Sequence, residues 1–346
     1  MMRLRAPSFW WRRPGLSATS LAPLAAIYGR IAGKRLAGIG RQIGIPVVCI
    51  GNLTVGGSGK TPTALAVAQI LIAAGERPWF LSRGYGGRQR GPLVVDSNKH
   101  RAEDVGDEPL LLARLAPTVV GRDRPAGALL ARDLGASSIV MDDGFQNPSL
   151  DKQLSIITID GRHGIGNARV FPSGPLRAPL HQQLVRAQVL IVVGDIALAA
   201  PTIAIAEAHG LAVFRAQLRP DPQAVKRLAQ APVLAFAGIG HPDKFFTTLL
   251  ESGIRLGLTR GFADHHGYTP AQANRLVAEA ERHGWNLVTT EKDWVRLRDD
   301  PRLRSLAQRA QALPVRLVLD REPDFAAVLR SALSTHRGTP ACDRRP

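Results

Sequence analysis

Cysteine is nearly absent. Cys49 and Cys342 are the only two in 346 residues, far apart and in no C-x-x-C, so neither a disulfide framework nor a cysteine zinc site is on offer and a reducing compartment fits. Aromatic residues make up 5% of the chain, too few for the stacking surfaces of a single-strand nucleic-acid binder. No apolar run approaches the roughly 20 residues of a membrane span. The stretch Leu16 to Ile27 is only about a dozen residues and is broken by serine and threonine. Acidic residues are missing from the amino-terminal region. The first is Glu76, whereas Arg3, Arg5, Arg12, Arg13, Arg30, Lys34, Arg35 and Arg41 all precede it.

What remains is ordinary globular material, with 45% apolar residues, 21% charged residues, 34 glycines and 25 prolines. The length allows two domains. A net charge of +17 calls for an anionic partner, which could be phosphorylated substrate, anionic lipid or nucleic acid. Its concentration in residues 1–41 narrows the choice. There PSFWWRR (Pro7 to Arg13) sets three aromatics beside two arginines, and a helix is expected over residues 20–36 with Ser20 as N-cap and Pro23 in the first turn. Leu21, Leu24, Tyr28 and Ile31 recur on one face, with Arg30, Lys34 and Arg41 on another. This pattern predicts an interfacial helix on an anionic membrane, with Phe9, Trp10 and Trp11 entering the headgroup boundary. A signal peptide would need a small-residue cleavage site, which does not follow. The structural alternative is a helix packed on the core.

The apolar run Ile45 to Ile50 suits a buried parallel strand, and GNLTVGGSGKTP (Gly51 to Pro62) follows before a helix begins. Strand, glycine-rich loop, Lys-Thr and helix make a phosphate cradle. Backbone N–H groups of Thr54, Val55, Gly56, Gly57, Ser58 and Gly59 curl round the phosphates, Lys60 reaches the outer ones, and the Thr61 hydroxyl takes Mg²⁺. The strict pattern G-x-x-x-x-G-K-[ST] has glycine where this chain has Thr54. A nucleotide site also needs an acidic residue ending another apolar strand. SSIVM (Ser137 to Met141), followed by Asp142 and Asp143, provides it, and one of the two aspartates holds Mg²⁺ directly or through water.

TVGGSGKTP, SRGYGG, VGDEPLLLA, DDGFQ, SGPLR, FAGIG, DHHGYT and TTEKDW occur in this order between Thr54 and Trp294, within a match that runs from about residue 7 to about residue 333. The ordered set, with the PSFWW-like start, resembles the tetraacyldisaccharide 4'-kinases of lipid A biosynthesis. The resemblance implies ATP and Mg²⁺ as cofactors and transfer of the γ-phosphate to the 4'-hydroxyl of a tetraacylated glucosamine disaccharide 1-phosphate. It also implies a peripheral place on the cytoplasmic face of the inner membrane, with no nucleic acid and no obligate protein partner.

By the same resemblance, Asp107 of GDEP is paired with His265 of DHH, and the two act together on the sugar hydroxyl. With Lys60 and Asp142 they form the expected catalytic set. Read locally, Asp107 is a helix N-cap ahead of Pro109, and His265 and His266 are loop residues before the helix start at Thr269-Pro270. Arg83, Arg124 and Arg177 are candidates for holding phosphate or sugar oxygens, for which the guanidinium fork is suited. Gln146 is placed with them on the substrate side, and Thr61 and Asp143 with the metal. Members often carry an acidic residue after the GPLR arginine, where this chain has Ala178. TTEKDW has helix-cap spacing from Thr290 to Asp293, with Lys292 a weak candidate for a phosphate contact.

Strand-length apolar runs alternate with helical patterns from Pro46 to Asp195, which predicts a doubly wound parallel sheet containing the phosphate loop. A smaller α/β unit follows. The near-alternating pieces Val213 to Arg219 and Val315 to Asp320 flank it and are expected to pair as a two-stranded hinge. The expected division is 1–41 for the membrane segment, 42–212 for the kinase domain, 213–320 for the smaller unit, 321–333 for a helix returning to the kinase domain, and 334–346 for a polar tail. Asp107 and His265 would then meet across a cleft. The rival enzyme reading, a P-loop ATPase or GTPase switch, lacks a guanine-reading motif.

Overall fold

The computed structural model describes residues 6–298 and 300–337, with side chains to 334 in the last helix. Arg3, Arg5 and residues 338–346 of the expected tail lie outside them. Among the described residues, thirteen strands form two sheets. They are β1 (Val47–Asn52), β2 (Pro78–Ser82), β3 (Leu93–Val94), β4 (Thr118–Val120), β5 (Ser138–Asp142), β6 (Leu154–Asp160), β7 (Val189–Val193), β8 (Ala212–Pro220), β9 (Val233–Ala237), β10 (Leu256–Gly261), β11 (Asn286–Thr290), β12 (Ala310–Leu313) and β13 (Val315–Leu319).

The large sheet runs β13-β8-β7-β6-β1-β5-β2-β4-β3, parallel throughout except at its two edges, where β13 and β3 run antiparallel to their neighbours. β1, β5 and β7 are buried along their whole length, as strands covered on both faces must be. The alternation within β1 shows why continuous Val/Ile runs are needed. Val47 and Cys49 enter one core with Leu81, Ile139 and Leu190, while Val48 and Ile50 enter the other with Phe80, Val140 and Ile156. On that second face the helix Lys60–Ala73 packs through Val67 and Leu71 beside Phe325, Leu329 and Leu333 of the final helix, Glu322–Arg337. The expected stop at residue 333 is therefore early, because residues 334–337 continue that helix.

The smaller sheet is parallel, in the order β10-β9-β11-β12. β12 and the helix Arg304–Arg309 before it carry no alternating apolar pattern, so nothing in their composition announced them. β8 and β13 pair antiparallel from Val315↔Pro220 to Leu319↔Ala216, and β8 also joins β7 in parallel, so the chain leaves and re-enters the large sheet at its edge.

At the amino terminus a short 3-10 helix, Ser8–Trp11, precedes the helices Leu16–Ser20 and Ala22–Leu36. Ser20 is not a cap. It closes the first helix and its hydroxyl donates to the Ser17 carbonyl, leaving Leu21 at the N-cap of the second. Trp10 does not face outward either, being 4% exposed, with its indole N–H donating to the Pro172 carbonyl at 3.0 Å. The helix Ala22–Leu36 docks through small residues, Ala25, Gly29 and Gly33, together with Leu36. Leu24, Ile27, Tyr28 and Ile31 are left exposed, beside exposed Leu16 and Ile39. Among the described residues no helix is long and apolar enough to cross a membrane.

Candidate active site

β1 and β5 are adjacent and parallel, so the loops leaving their carboxyl ends meet where ligands of open α/β sheets bind. β1 ends in the phosphate loop. Asn52 donates from Nδ2 to the Gly56 carbonyl at 3.0 Å, which curls the loop, and Ser58 shares a 2.9 Å hydrogen bond with Thr158 of β6. Gly56 at φ 119° and Gly59 at φ 84° take backbone conformations that L side chains disfavour, and Gly59 is the N-cap from which the helix Lys60–Ala73 starts. Thr54, at the position that is glycine in the strict pattern, forms an isolated antiparallel bridge with Leu176. The loop is thus braced from outside by the SGPLR segment.

Beyond the loop, the Thr61 hydroxyl donates to Asp142 Oδ2 at 3.3 Å, and Lys60 Nζ lies 3.8 Å from Asp143 Oδ1. Asp142 Oδ1 is buried and has no hydrogen-bond partner among the described residues. Burial, with Glu108 and Asp143 nearby, pushes the Asp142 carboxyl up to about 7. Asp143 goes the other way. Burial opposes its charge, but Lys60, Arg177 and Arg124 outweigh that and hold it below the usual carboxylate range. Burial also lowers the proton affinity of Lys60.

Asp107 opens the helix Asp107–Leu112, but Gly106 stands at the N-cap and receives no side-chain hydrogen bond there. The local N-cap reading of Asp107 therefore fails: apart from accepting from the neighbouring Glu108 N–H, its carboxylate is turned to the other sheet's unit. His265 Nδ1 lies 3.1 and 3.0 Å from its two oxygens. Asp107 is 4% exposed and held well below the ordinary carboxylate range, since the His265 hydrogen bond and the Arg296, His265 and Lys292 charges overcome the burial that opposes ionisation. His265 sits in the loop after β10 at φ 53°. His266 turns away, stacked on Phe262 at 4.8 Å and bonded to Gln272 at 3.0 Å.

Residues 17–334 match the family described as tetraacyldisaccharide-1-P 4'-kinase. A tetraacyldisaccharide 4'-kinase of Azorhizobium caulinodans is 52% identical over 328 residues, 95% of this chain and 97% of that protein. One from Methylobacterium sp. is 53% identical over 332 residues, 96% and 97%. The chain belongs to the tetraacyldisaccharide 4'-kinase family. Among solved structures, LpxK from Aquifex aeolicus in complex with ATP is similar at TM-score 0.70 and 27% identity, covering 91% of this chain and 99% of that one.

Against the pattern of the tetraacyldisaccharide 4'-kinases, the missing acidic neighbour at Ala178 has a local remedy: Arg177 Nη1 lies 3.2 Å from Asp143 Oδ1. Arg177 also donates from Nε to the Thr54 carbonyl at 3.1 Å, and Gln146 donates from Nε2 to the Asn52 carbonyl at 2.8 Å. Both side chains therefore lie against the phosphate loop. Arg124 is buried, donating to the Gly121 carbonyl at 2.8 Å, and burial lowers its pKa to about 10, with Arg83 adding repulsion. Arg83 itself is exposed. Lys292 is bonded to Glu108 at 2.6 Å, and Thr290 Oγ1 accepts from the Asp293 N–H at 3.1 Å in the cap its spacing announced.

Two groups of residues around the site escaped the sequence reading. One is Glu108, Tyr268 and Arg296, gathered round Asp107 with Asp293, which the sequence marked only as a helix cap. The helical i, i+4 spacing of Lys292 and Arg296 was its other visible signal. The other is Asp160, His163, His241 and Lys244, beside the phosphate loop. There Lys244 and His163 both reach Asp160, and Asp160, His163, His241 and Trp11 line a recess next to residues 54–58. With Trp11 these residues come from three distant segments, and only the i, i+3 spacings of Asp160 with His163 and of His241 with Lys244 are visible in the sequence.

Proposed function

We propose that the protein transfers the γ-phosphate of ATP to the 4'-hydroxyl of a tetraacylated glucosamine disaccharide 1-phosphate. The observation that carries this reading is the placement of an acid–base pair next to a phosphate loop: Glu108, which adjoins Asp107, lies close enough to Asp142 to raise its proton affinity. Lys60 would neutralise the departing phosphates. The buried, unpartnered Asp142 Oδ1, with Thr61 and Asp143 beside it, suits a hard divalent cation. Mg²⁺ held there would screen the phosphate charge. Arg83 and Arg124 would hold phosphate or sugar oxygens of the anionic acceptor, for which the guanidinium fork is suited.

Against an ionised Asp107, Nδ1 of His265 carries the proton, which leaves Nε2 as the basic lone pair. Both oxygens of Asp107 are already engaged, by His265 and by Arg296. His265 Nε2 therefore takes the sugar hydroxyl's proton as its oxygen attacks, while Asp107 orients the ring and stabilises the imidazolium.

The domain reading follows the same logic, with 42–212 and the helix of 321–333 carrying the nucleotide side, and 213–320 carrying His265. The exposed apolar residues of the helix Ala22–Leu36, with Arg12, Arg13, Arg30 and Lys34 near them, would rest on an anionic leaflet, where the tails of the acceptor lie. That surface would be the cytoplasmic face of the inner membrane. The test is transfer of labelled γ-phosphate to a tetraacyl disaccharide 1-phosphate by the full chain and by Lys60→Ala. Label released only as inorganic phosphate by the unaltered protein would reject the kinase reading in favour of an ATPase.

A further inference from the structure

The helix Glu291–Arg298 belongs to the smaller sheet's unit and packs against the helix Asp107–Leu112 of the larger one. It presents two cations one turn apart to two adjacent carboxylates. Lys292 meets Glu108, while Arg296 donates from Nε to Asp107 Oδ2 at 2.9 Å and from Nη2 to the same oxygen. The rest of the guanidinium is fixed from behind, because Nη1 donates to the Gly238 carbonyl at 2.8 Å and to Asp293 Oδ1 at 2.9 Å.

Asp293 is fully buried and is itself pinned, accepting from the Gly238 N–H at 3.0 Å, the Tyr268 hydroxyl at 2.9 Å and the Thr290 hydroxyl at 2.6 Å. Such a bracket exceeds what a structural ion pair needs. A planar fork held on one side by a rigid scaffold fixes both the position and the orientation of the carboxylate it grips.

We propose that Arg296 is a positioning residue for phosphoryl transfer, holding the Asp107 carboxylate of the opposite unit, ionised and correctly turned, against Nδ1 of His265. The inference rests on reading Asp107 and His265 as the acid–base unit. Arg296 acts through Asp107 and touches no reacting atom. The pair is consequently complete only when the two units are docked through this helix, which ties base assembly to closure of the cleft.

The groups facing Asp107 are His265 from the loop after β10, Arg296 and Lys292 from the docking helix, and Glu108 from its own helix. Loss of Arg296 removes one of the charges that hold Asp107 ionised against its burial, leaving the His265 hydrogen bond and the Lys292 charge to do so, and a protonated Asp107 no longer stabilises the imidazolium. The acidic limb of the turnover profile then moves to higher pH.

The experiment compares kcat, KM for ATP and the pH–rate profile of the full chain with those of Arg296→Gln, Arg296→Lys, Asp107→Ala and Asp107→Ala/Arg296→Gln, on detergent-dispersed disaccharide acceptor. Arg296→Gln should lower kcat by about 10- to 100-fold with KM for ATP within about twofold, and should raise the acidic limb by about 0.5 pH unit or more. Arg296→Lys should restore most of the acidic limb but keep a deficit of about threefold or more in kcat, since an ammonium lacks the fork.

In the Asp107→Ala background, Arg296→Gln should cost less than about threefold more. Unchanged kcat in Arg296→Gln, a lost kcat with an unmoved acidic limb, or multiplied losses in the double variant would each overturn the proposal. If Arg296→Gln fails to fold, full turnover in Arg296→Lys overturns it. Full activity in Asp107→Ala would instead overturn the pair itself, and the role of Arg296 with it.

Discussion

Asp107→Ala and His265→Ala should each reduce transfer, and the double variant should be little worse than either. A positioned acid–base group is worth on the order of 10² to 10⁴ in rate, about 3 to 5 kcal/mol of barrier. Independent groups would therefore multiply to about 10⁴ to 10⁸. The structure predicts the smaller figure, because the Asp107 oxygens lie 3.1 and 3.0 Å from Nδ1 of His265 and the carboxylate's other strong partner is Arg296. Its whole contribution to the reaction therefore runs through the imidazole ring. Single-turnover transfer at saturating ATP isolates the chemical step from acceptor binding and product release. The pH profile adds a sign. Asp107 is held below its usual range, so its ionisation is complete throughout neutral pH, and the stability it contributes is lost only as pH falls through that depressed value. A multiplied loss in the double variant would refute the pairing while leaving the kinase reading intact.

Much of this was legible in the sequence because the relevant signals are local. The strand-loop-helix from Ile45 to Ala73 announces itself by a Val/Ile run, by glycines where φ turns positive, and by a proline in the first helical turn, so β1 and the phosphate loop follow from propensity alone. Asp142 and Asp143 needed only the end of a second apolar run. Asp107 shows the limit. Locally GDEP is a helix start, and the competing use of its carboxylate depends on residues 158 and 189 positions away. Only a resemblance could pair it with His265. Arg296 had no such help, since one arginine in a strongly basic chain is indistinguishable from solvated neighbours until the fold buries it. In the amino-terminal helix the apolar stripe was legible but the docking face was not. The stripe stays outside, as an interfacial helix requires, because the helix docks through alanine and glycine, whose small side chains give no apolar signal.

Three further perturbations test the remaining parts of the site and the membrane face. Lys60→Ala and Thr61→Ala should abolish transfer through turnover and leave the fold intact, and near-normal kcat in either at saturating ATP and Mg²⁺ would refute the loop assignment. Asp142→Asn should also abolish transfer, yet raise the melting temperature of the nucleotide- and Mg²⁺-free protein at pH 8. The reason is the sign of the shift: with the folded carboxyl raised to about 7, the native state holds a proton that the unfolded state has released, so stability falls as pH rises from about 4 to 7. A lower melting temperature for Asp142→Asn at pH 8 would contradict that environment. The last perturbation is Ile27→Glu/Ile31→Glu, which alters the stripe without disturbing Trp10 or the Ala/Gly docking face. Ile27 and Ile31 are 59% and 65% exposed, so each has well over half its surface free to enter a bilayer boundary. At about 25 cal/mol per Å², seating that area is worth on the order of 1 to 2 kcal/mol per residue, and two carboxylates beside anionic lipid add repulsion. Partition onto anionic liposomes should therefore fall by at least about tenfold, with transfer to membrane-embedded acceptor falling more than transfer to detergent-dispersed acceptor. ATP affinity should not change, because neither residue approaches the phosphate loop. Undiminished liposome binding by the double variant would mean that the stripe does not meet the membrane and that the basic residues hold the protein there without it.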